Sequence, residues 1–269
     1  MNVIELCGGI GNQMFQYAFG RVQKERGIDV SYSLRWYKFP QVPPRPYRLD
    51  KFNMKIPIVY KDILNQRVIK EPIPAEYDSK YLENENCSIH GYWQFLNYFK
   101  HILPILRKEF KIPKQYHTNE FKGLLKEVKV LPNSVSLHVR RGDYIGRVGF
   151  GILPITYYID SLKIIEKKCK KIDTVYVFSD DIDWCHGFFK TEYFGYKFKI
   201  VDLPEDYLCM ELMKSCVHNI ISNSTFGWWA AILNTSNGIV VRPFGWLSNT
   251  GAGERKGNML KHWIKIKVI

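Results

Sequence analysis

The 269-residue sequence predicts an α/β protein of parallel, doubly wound sheets, forming two Rossmann-like domains with the ligand site in the cleft between them. Three observations carry this. Short β-prone runs recur, each followed by a loop and then by residues at helical spacing. The alternation is clearest from residue 134 to residue 242. Hydrophobic residues make up 46% and aromatics 15% of the chain, enough for packed interiors, and the length accommodates two modest domains.

Residues 2–6 read as a first strand, 8–13 (GGIGNQ) as a turn, and 13–26 as a helix with Met14, Phe15, Ala18, Phe19 and Val22 on one face. Gly27 supplies a stop and 28–34 returns as a strand, completing a βαβ unit. Residues 36–80 hold most of the prolines, with Pro43, Pro44 and Pro46 blocking regular structure, and read as irregular. The aromatic, amphipathic segment 91–110 reads as helices. A boundary is expected near residue 130, dividing the chain into domains 1–130 and 131–269. Beyond it come strand 134–139, a long loop, a helix at about 155–169, and strand 174–179. A short helix, strand 198–203, helix 205–216, strand 218–222, helix 225–234 and strand 238–242 follow.

The net charge is +13, from 39 Lys and Arg against 26 Asp and Glu. Such a surface suits acidic partners: nucleic acid, an anionic membrane face or phosphorylated substrates. Part of the excess has an ordinary explanation, since Lys167, Lys168, Lys170 and Lys171 complement a helix C-terminus. The basic tail with Lys256, Lys261, Lys265 and Lys267 stays ambiguous. Six cysteines (Cys7, Cys87, Cys169, Cys185, Cys209, Cys216) form no CxxC pair and no zinc spacing. With no run of about 20 apolar residues and no secretory pattern at the N-terminus, they are expected as free thiols in a cytosolic protein.

Three strand-end loops carry the chemistry. HVRRGD (138–143) delivers His138, Arg140, Arg141 and Asp143 after an apolar run. The guanidinium forks suit phosphate oxygens, and Gly142 allows close backbone approach. The competing reading is a solvated basic turn. FSDDIDW (178–184) places Asp180 and Asp181 where they accept hydrogen bonds from a base or ribose, or cap a helix. SNSTFGWW (222–229) sets Ser224, Thr225 and Phe226 at a helix N-terminus suited to phosphate, with Trp228 and Trp229 read as core. GGIGNQ is not a dinucleotide fingerprint, because Met14 stands at the third glycine position. Its Gly11, Asn12 and Gln13 offer backbone and amide groups to an anion, or Asn12 simply caps the helix. No Ser/His/Asp triad and no GxxxxGK[ST] P-loop is legible, which disfavours hydrolases and NTPases.

Six segments in order, GGIGNQMFQYAFG at 8–20, PYRLDKFNM at 46–54, GYWQ at 91–94, HVRRGDY at 138–144, FSDD at 178–181 and ISNSTFGWW at 221–229, resemble the inverting α-1,2-fucosyltransferases of glycosyltransferase family 11, bacterial type. The resemblance implies a GT-B-like fold, with an acceptor-side N-terminal domain and a C-terminal domain that binds GDP-β-L-fucose. It implies neither metal nor other cofactor. The acceptor would be a galactose-terminated oligosaccharide or lipid-linked glycan of a surface polysaccharide, fucosylated at the 2-hydroxyl. Arg140 would grip the donor diphosphate with Arg141 beside it, His138 would lie near the guanine, and Asp180 and Asp181 near guanine or ribose. Ser224, Thr225 and Phe226 would run along the diphosphate and fucose, while Gly11, Asn12 and Gln13 approach from the other domain. Asp143 is the nearest acidic candidate for a general base; the alternative is that it holds Arg140 or caps the loop. The animal proteins of this resemblance begin with a membrane anchor that this sequence does not show. The expectation is therefore a cytoplasmic enzyme drawn peripherally to the inner membrane by its basic surface. The rival readings are another GDP-sugar or linkage, such as α-1,6-fucosyl transfer, and a basic nucleic-acid-binding protein. The second is disfavoured because basic residues are dispersed and aromatics alternate with apolar core positions.

Overall fold

Every strand pair among the described residues is parallel, and the strands form two separate sheets. The structure is a computed structural model describing residues 1–59, 66–73, 75–147, 149–245 and 259–267. Lys256, position 148 of the long loop after strand 134–139, and positions 60–65 and 74 of the 36–80 segment lie outside the described residues. The sheets belong to two compact units, the first built on Met1–Pro113 and the second beginning at Lys114.

In the first unit the strand order is β3-β2-β1-β5-β4, formed by β1 (Asn2–Glu5), β2 (Val30–Ser33), β3 (Ile58–Val59), β4 (Arg67–Lys70) and β5 (Cys87–His90). The helix between β1 and β2 is α1 (Ile10–Glu25), which starts three residues earlier than its apolar spacing predicts. Its N-cap is Gly9, not Asn12, and no side chain caps it. Gly8 is required in the turn: its φ is +74°, and a Cβ there would stand 2.6 Å from Asn12 Nδ2. Gly27 takes φ +83° just beyond the helix, the left-handed stop its position predicts. Residues 91–110 supply α2 (Leu96–Phe99) and α3 (Leu103–Glu109). The proline-rich 36–80 stretch is not wholly irregular, since β3 and β4 come from it. Strand β4 escaped the sequence reading because it is an edge strand whose Arg67, Val68 and Lys70 are exposed, leaving no alternation of burial.

The second unit begins with α4 (Asn119–Val130), seated on N-cap Thr118, whose hydroxyl accepts the Phe121 amide at 3.1 Å. That helix moves the division from the expected 130 to 113/114, because it is fastened to the second sheet. Tyr176 Oη donates to Glu127 at 2.9 Å, Lys199 Nζ pairs with Glu127 at 2.6 Å, and Phe121, Leu124 and Val128 are buried. The chain then runs through β6 (Ser134–Val139), α5 (Ile155–Cys169), β7 (Thr174–Ser179), α6 (Ile182–Phe188), α7 (Thr191–Phe194) and β8 (Phe198–Ile200). It continues through α8 (Asp206–Met213), β9 (His218–Ile220), α9 (Thr225–Leu233), β10 (Val240–Pro243) and β11 (Ile264–Ile266). Strand β11 is too short to carry a period of its own and exists through its register with β10, Val241 facing Ile264.

The sheet order is β11-β10-β9-β6-β7-β8. From β6 the chain goes outward to β7 and β8, then crosses back to lay β9 on the other side of β6. All six residues of β6 are buried, as expected of a central parallel strand covered on both faces. Buried Asn219 fixes β9 in place: its Nδ2 donates to Ser136 Oγ (2.6 Å) and to the Met213 carbonyl (2.9 Å), and its Oδ1 accepts from Asn234 (2.8 Å). The six cysteines are free, and Trp228 and Trp229 are fully buried, edge to face, as core.

Candidate functional site

The crossover between β6 and β9 is a topological switch point, where the carboxyl ends of diverging strands leave a crevice suited to ligands. Three loops of the second unit meet there: 140–144 after β6, 180–181 after β7 and 221–224 after β9. These are the three second-unit loops singled out from the sequence.

Arg140 occupies the middle of the cluster. Its guanidinium pairs with Asp180 Oδ2 at 2.8 Å and with Asp143 Oδ1, and it lies 5.0 Å from the Tyr144 ring centre. Arg141 Nε pairs with Asp181 at 2.9 Å, its guanidinium sits 4.3 Å from the Trp184 ring centre, and its amide donates to Asp180 at 2.9 Å. Both arginine side chains are mostly shielded from solvent, so these charges are aimed rather than loosely displayed. Asp181 also caps α6 by accepting the Trp184 amide at 3.2 Å, so the helix-cap reading holds for it. Asp180 is a holder of both arginine positions. Its carboxylate presses so closely on Gly142 that a Cβ there would overlap it. Asp143 is the partner of Arg140, with its second oxygen 3.7 Å from Arg147.

Tyr144 was not singled out from the sequence, although it closes the segment HVRRGDY. Its hydroxyl donates to the Asn223 carbonyl at 3.1 Å, joining the β6 loop to the β9 loop. Asn223 is 4% exposed and donates through Nδ2 to the Gly151 carbonyl at 2.9 Å. Two buried polar atoms of this cluster, Arg140 Nε and Asn223 Oδ1, have no hydrogen-bond partner. Unsatisfied polar atoms are rare in interiors, and these two lie at a strand-end crevice. Ser224 is the N-cap of α9, and Thr225 and Phe226 form its half-buried first turn.

His138 is 5% exposed and built into the wall. Its Nδ1 is 2.8 Å from Ser222 Oγ, its ring faces Phe226 at 5.3 Å, and Gly227 makes room for it, since a Cβ there would stand 2.7 Å from Nδ1. Burial, and then the positive charge of Arg140, lower its pKa to about 3. The imidazole is therefore neutral at physiological pH. Among the described residues, no group of three His, Cys, Asp or Glu side chains is placed to hold a metal ion.

The first unit departs from expectation. Gln13 is fully buried and braces the 46–48 segment: Nε2 donates to the carbonyls of Gly8 (3.0 Å) and Pro46 (2.9 Å), and Oε1 accepts the Arg48 amide (2.9 Å). Both Nε2 protons and one Oε1 lone pair are engaged inside the unit, so Gln13 acts as a structural clamp of the 46–48 segment. Gly11 is buried within the first turn of α1, and Asn12 Oδ1 accepts from Gln94 at 2.9 Å. The sheet also aligns three residues that no sequence pattern joined. Ser88 Oγ is 2.8 Å from His90 Nε2, and His90 Nδ1 is 2.9 Å from Glu5. The parallel pairing of β1 with β5 puts them on one face.

Two parallel sheets, with paired arginines at the strand crossover of the second, form an α/β fold of the GT-B-like kind, and the family match makes the protein a glycosyltransferase. The chain belongs to glycosyl transferase family 11, whose model matches residues 1–267. It is 33% identical to an alpha-1,2-colitosyltransferase of Escherichia coli, over 91% of each chain. It is 28% identical to the O-antigen biosynthesis glycosyltransferase WbnK of Escherichia coli, over 97% of this chain and 99% of that one. It is 24% identical to the mouse galactoside 2-alpha-L-fucosyltransferase Sec1, over 91% of this chain and 67% of that protein. Among solved structures it is similar in fold to the NodZ alpha-1,6-fucosyltransferase soaked with GDP-fucose. The TM-score is 0.52 at 14% identity, covering 86% of this chain and 92% of that one.

Proposed function

We propose that this glycosyltransferase moves L-fucose from GDP-β-L-fucose to the 2-hydroxyl of a terminal galactose, with inversion, in the synthesis of a surface polysaccharide or oligosaccharide. The observation that carries the donor half is the Arg140–Arg141 pair, held by three carboxylates beside buried polar atoms that lack partners. The names of the mouse and colitosyl relatives favour the 2-linkage. Departure of GDP develops negative charge on the diphosphate. Arg140 supplies a preorganised bidentate donor for it, and the N-terminus of α9 adds backbone N–H groups. Arg141 adds charge beside it, while Asp180 and Asp181 set the direction of both forks. Neutral His138 contributes shape and a hydrogen bond rather than charge. We assign Asp143 to the positioning of Arg140, because both of its oxygens face arginine.

The test is a product assay with purified protein, GDP-fucose, EDTA, and lactose or lacto-N-biose, read by mass and linkage analysis. The expected product carries one added deoxyhexose on O2 of galactose. Product only when divalent metal is restored would overturn the metal-independent part. A 6-linked product would overturn the linkage. A second reading, transfer of a colitosyl residue, is favoured by the 33% identity to the colitosyltransferase. GDP-colitose competing in the same assay separates the two by which sugar is transferred faster.

A further inference from the structure

We infer that the crevice at the carboxyl ends of β1 and β5 binds the hydroxyl groups of the acceptor sugar, an assignment that rests on the glycan acceptor of the proposed reaction. The first sheet has a switch point of its own. From β1 the chain runs outward to β2 and β3, while β5 and β4 fill the other side of β1. Ligands sit outside the carboxyl ends of strands that diverge in this way. The last residues of the two strands are Glu5 and His90, brought together by the pairing of Ile4 with Ile89. Glu5 Oε2 is 2.9 Å from His90 Nδ1, and His90 Nε2 is 2.8 Å from Ser88 Oγ on the same face. The hydrogen bond from His90, and then the charge of Arg35, hold the Glu5 carboxyl below its ordinary pKa. It is therefore ionised at neutral pH and accepts hydrogen bonds without donating any.

The crevice is open, since the Glu5 and His90 side chains are 23% and 35% exposed. Tyr92 follows two residues beyond His90 and is 41% exposed, with its amide fixed on Glu71 Oε2 at 2.7 Å. Gly91 takes φ +152°, and a Cβ there would stand 2.4 Å from Glu71 Cβ, so glycine is what lets Glu71 lie against this strand end. Burial, and then Glu5 and Glu71, push the Cys7 thiol up to about 11, which puts both carboxylates around the end of β1. Glu71 Oε1 is buried and has no hydrogen-bond partner. An unfilled carboxylate oxygen calls for a donor, which a sugar hydroxyl supplies and an ionised phosphate does not. The two switch points thus differ in chemistry. Arginine forks line that of the second sheet and suit a diphosphate. Carboxylates, an imidazole, a serine hydroxyl and an exposed tyrosine ring line that of the first, and their complement is a neutral ligand rich in hydroxyls.

The experiment titrates the full-length protein with lactose and lacto-N-biose in saturation-transfer NMR without donor, and measures kcat and KM for each substrate. Glu5→Gln and His90→Phe should each weaken galactoside binding and raise the galactoside KM about tenfold, the loss expected of a hydrogen bond to a charged group. Ser88→Ala, which removes one hydroxyl, should raise that KM about threefold. GDP binding, the KM for GDP-fucose and the melting temperature should match wild type in all three. A relay with only a structural role would instead lower the melting temperature and GDP binding together and leave the galactoside KM in place. That result, unaltered galactoside binding in every variant, or no galactoside binding by the wild type would each overturn the assignment. Galactoside binding that the variants weaken, with no fucose transferred, would uphold the site and overturn the transfer reaction instead.

Discussion

Arg140 reaches the crevice already engaged by Asp143 and Asp180, so a diphosphate bound there must exchange with carboxylates rather than with water. Replacing Arg140 by Ala removes the donor to the leaving group and should lower kcat about 10²–10³-fold, measured with saturating GDP-fucose. Near-normal turnover would remove Arg140 from the mechanism. Asp143→Asn separates a positioning role from a base. Loss of a base costs about 10²–10⁴-fold and abolishes the acid limb of the pH profile. A positioning carboxylate gives a smaller loss with the limb retained, which is the outcome expected here. Gly142→Ala should act through Asp180, whose carboxylate occupies the space a Cβ needs. The expected result is weakened GDP binding with the melting temperature little changed, because the substitution strikes a half-exposed loop and not the core.

At the scale of elements, the turn from β1 into α1 is stabilised by side-chain amides and not by a helix cap. Gln13 satisfies two carbonyls and one amide in a buried setting. Gln13→Ala takes this partner from the Pro46 carbonyl and the Arg48 amide, while the Gly8 carbonyl keeps the Tyr37 hydroxyl, and should destabilise the protein by about 2 kcal/mol, read from urea denaturation midpoints. A loss below about 0.5 kcal/mol would show that the clamp is dispensable. In the second unit the decisive elements are β6 and β9, whose shared network through Ser136 and Asn219 fixes the crevice between their ends. Predictions about nucleotide contact therefore belong to loops that this network positions.

For the whole molecule, acid sensitivity is set by histidines buried in the neutral form. Burial lowers the pKa of His138 to about 3 and that of His218 below its ordinary value. The unfolded chain protonates both near pH 6.5, so below that pH it binds more protons than the folded protein. Stability therefore falls as pH drops from about 6.5; for His138 the limiting slope is about 1.4 kcal/mol per pH unit and the loss ends near pH 3, and His218 adds to the fall in the same direction. Urea midpoints between pH 7 and pH 5 test this in a window above most carboxylate titration. A flat midpoint there would contradict the buried neutral state.

The sequence by itself determined the α/β class, the alternation of the second unit, the glycine turn and its stop at Gly27, and the three second-unit loops that meet at the crossover. Those features follow from local chemistry: periodicity, turn residues, and charged forks placed directly after strands. Only the tertiary structure decided what each side chain does. Gln13 reads as a ligand amide until the 46–48 segment is seen packed on it. Asp143 reads as a base or a holder of Arg140, and Asp180 and Asp181 as nucleotide contacts or helix caps, until two arginines are found between them. Strand β4, strand β11 and the place of α4 were equally illegible, because an edge strand and a bridging helix take their identity from partners distant in the chain. Local spacing carries the period of an element, but a hydrogen bond between residues 40 or 79 positions apart has no local signature.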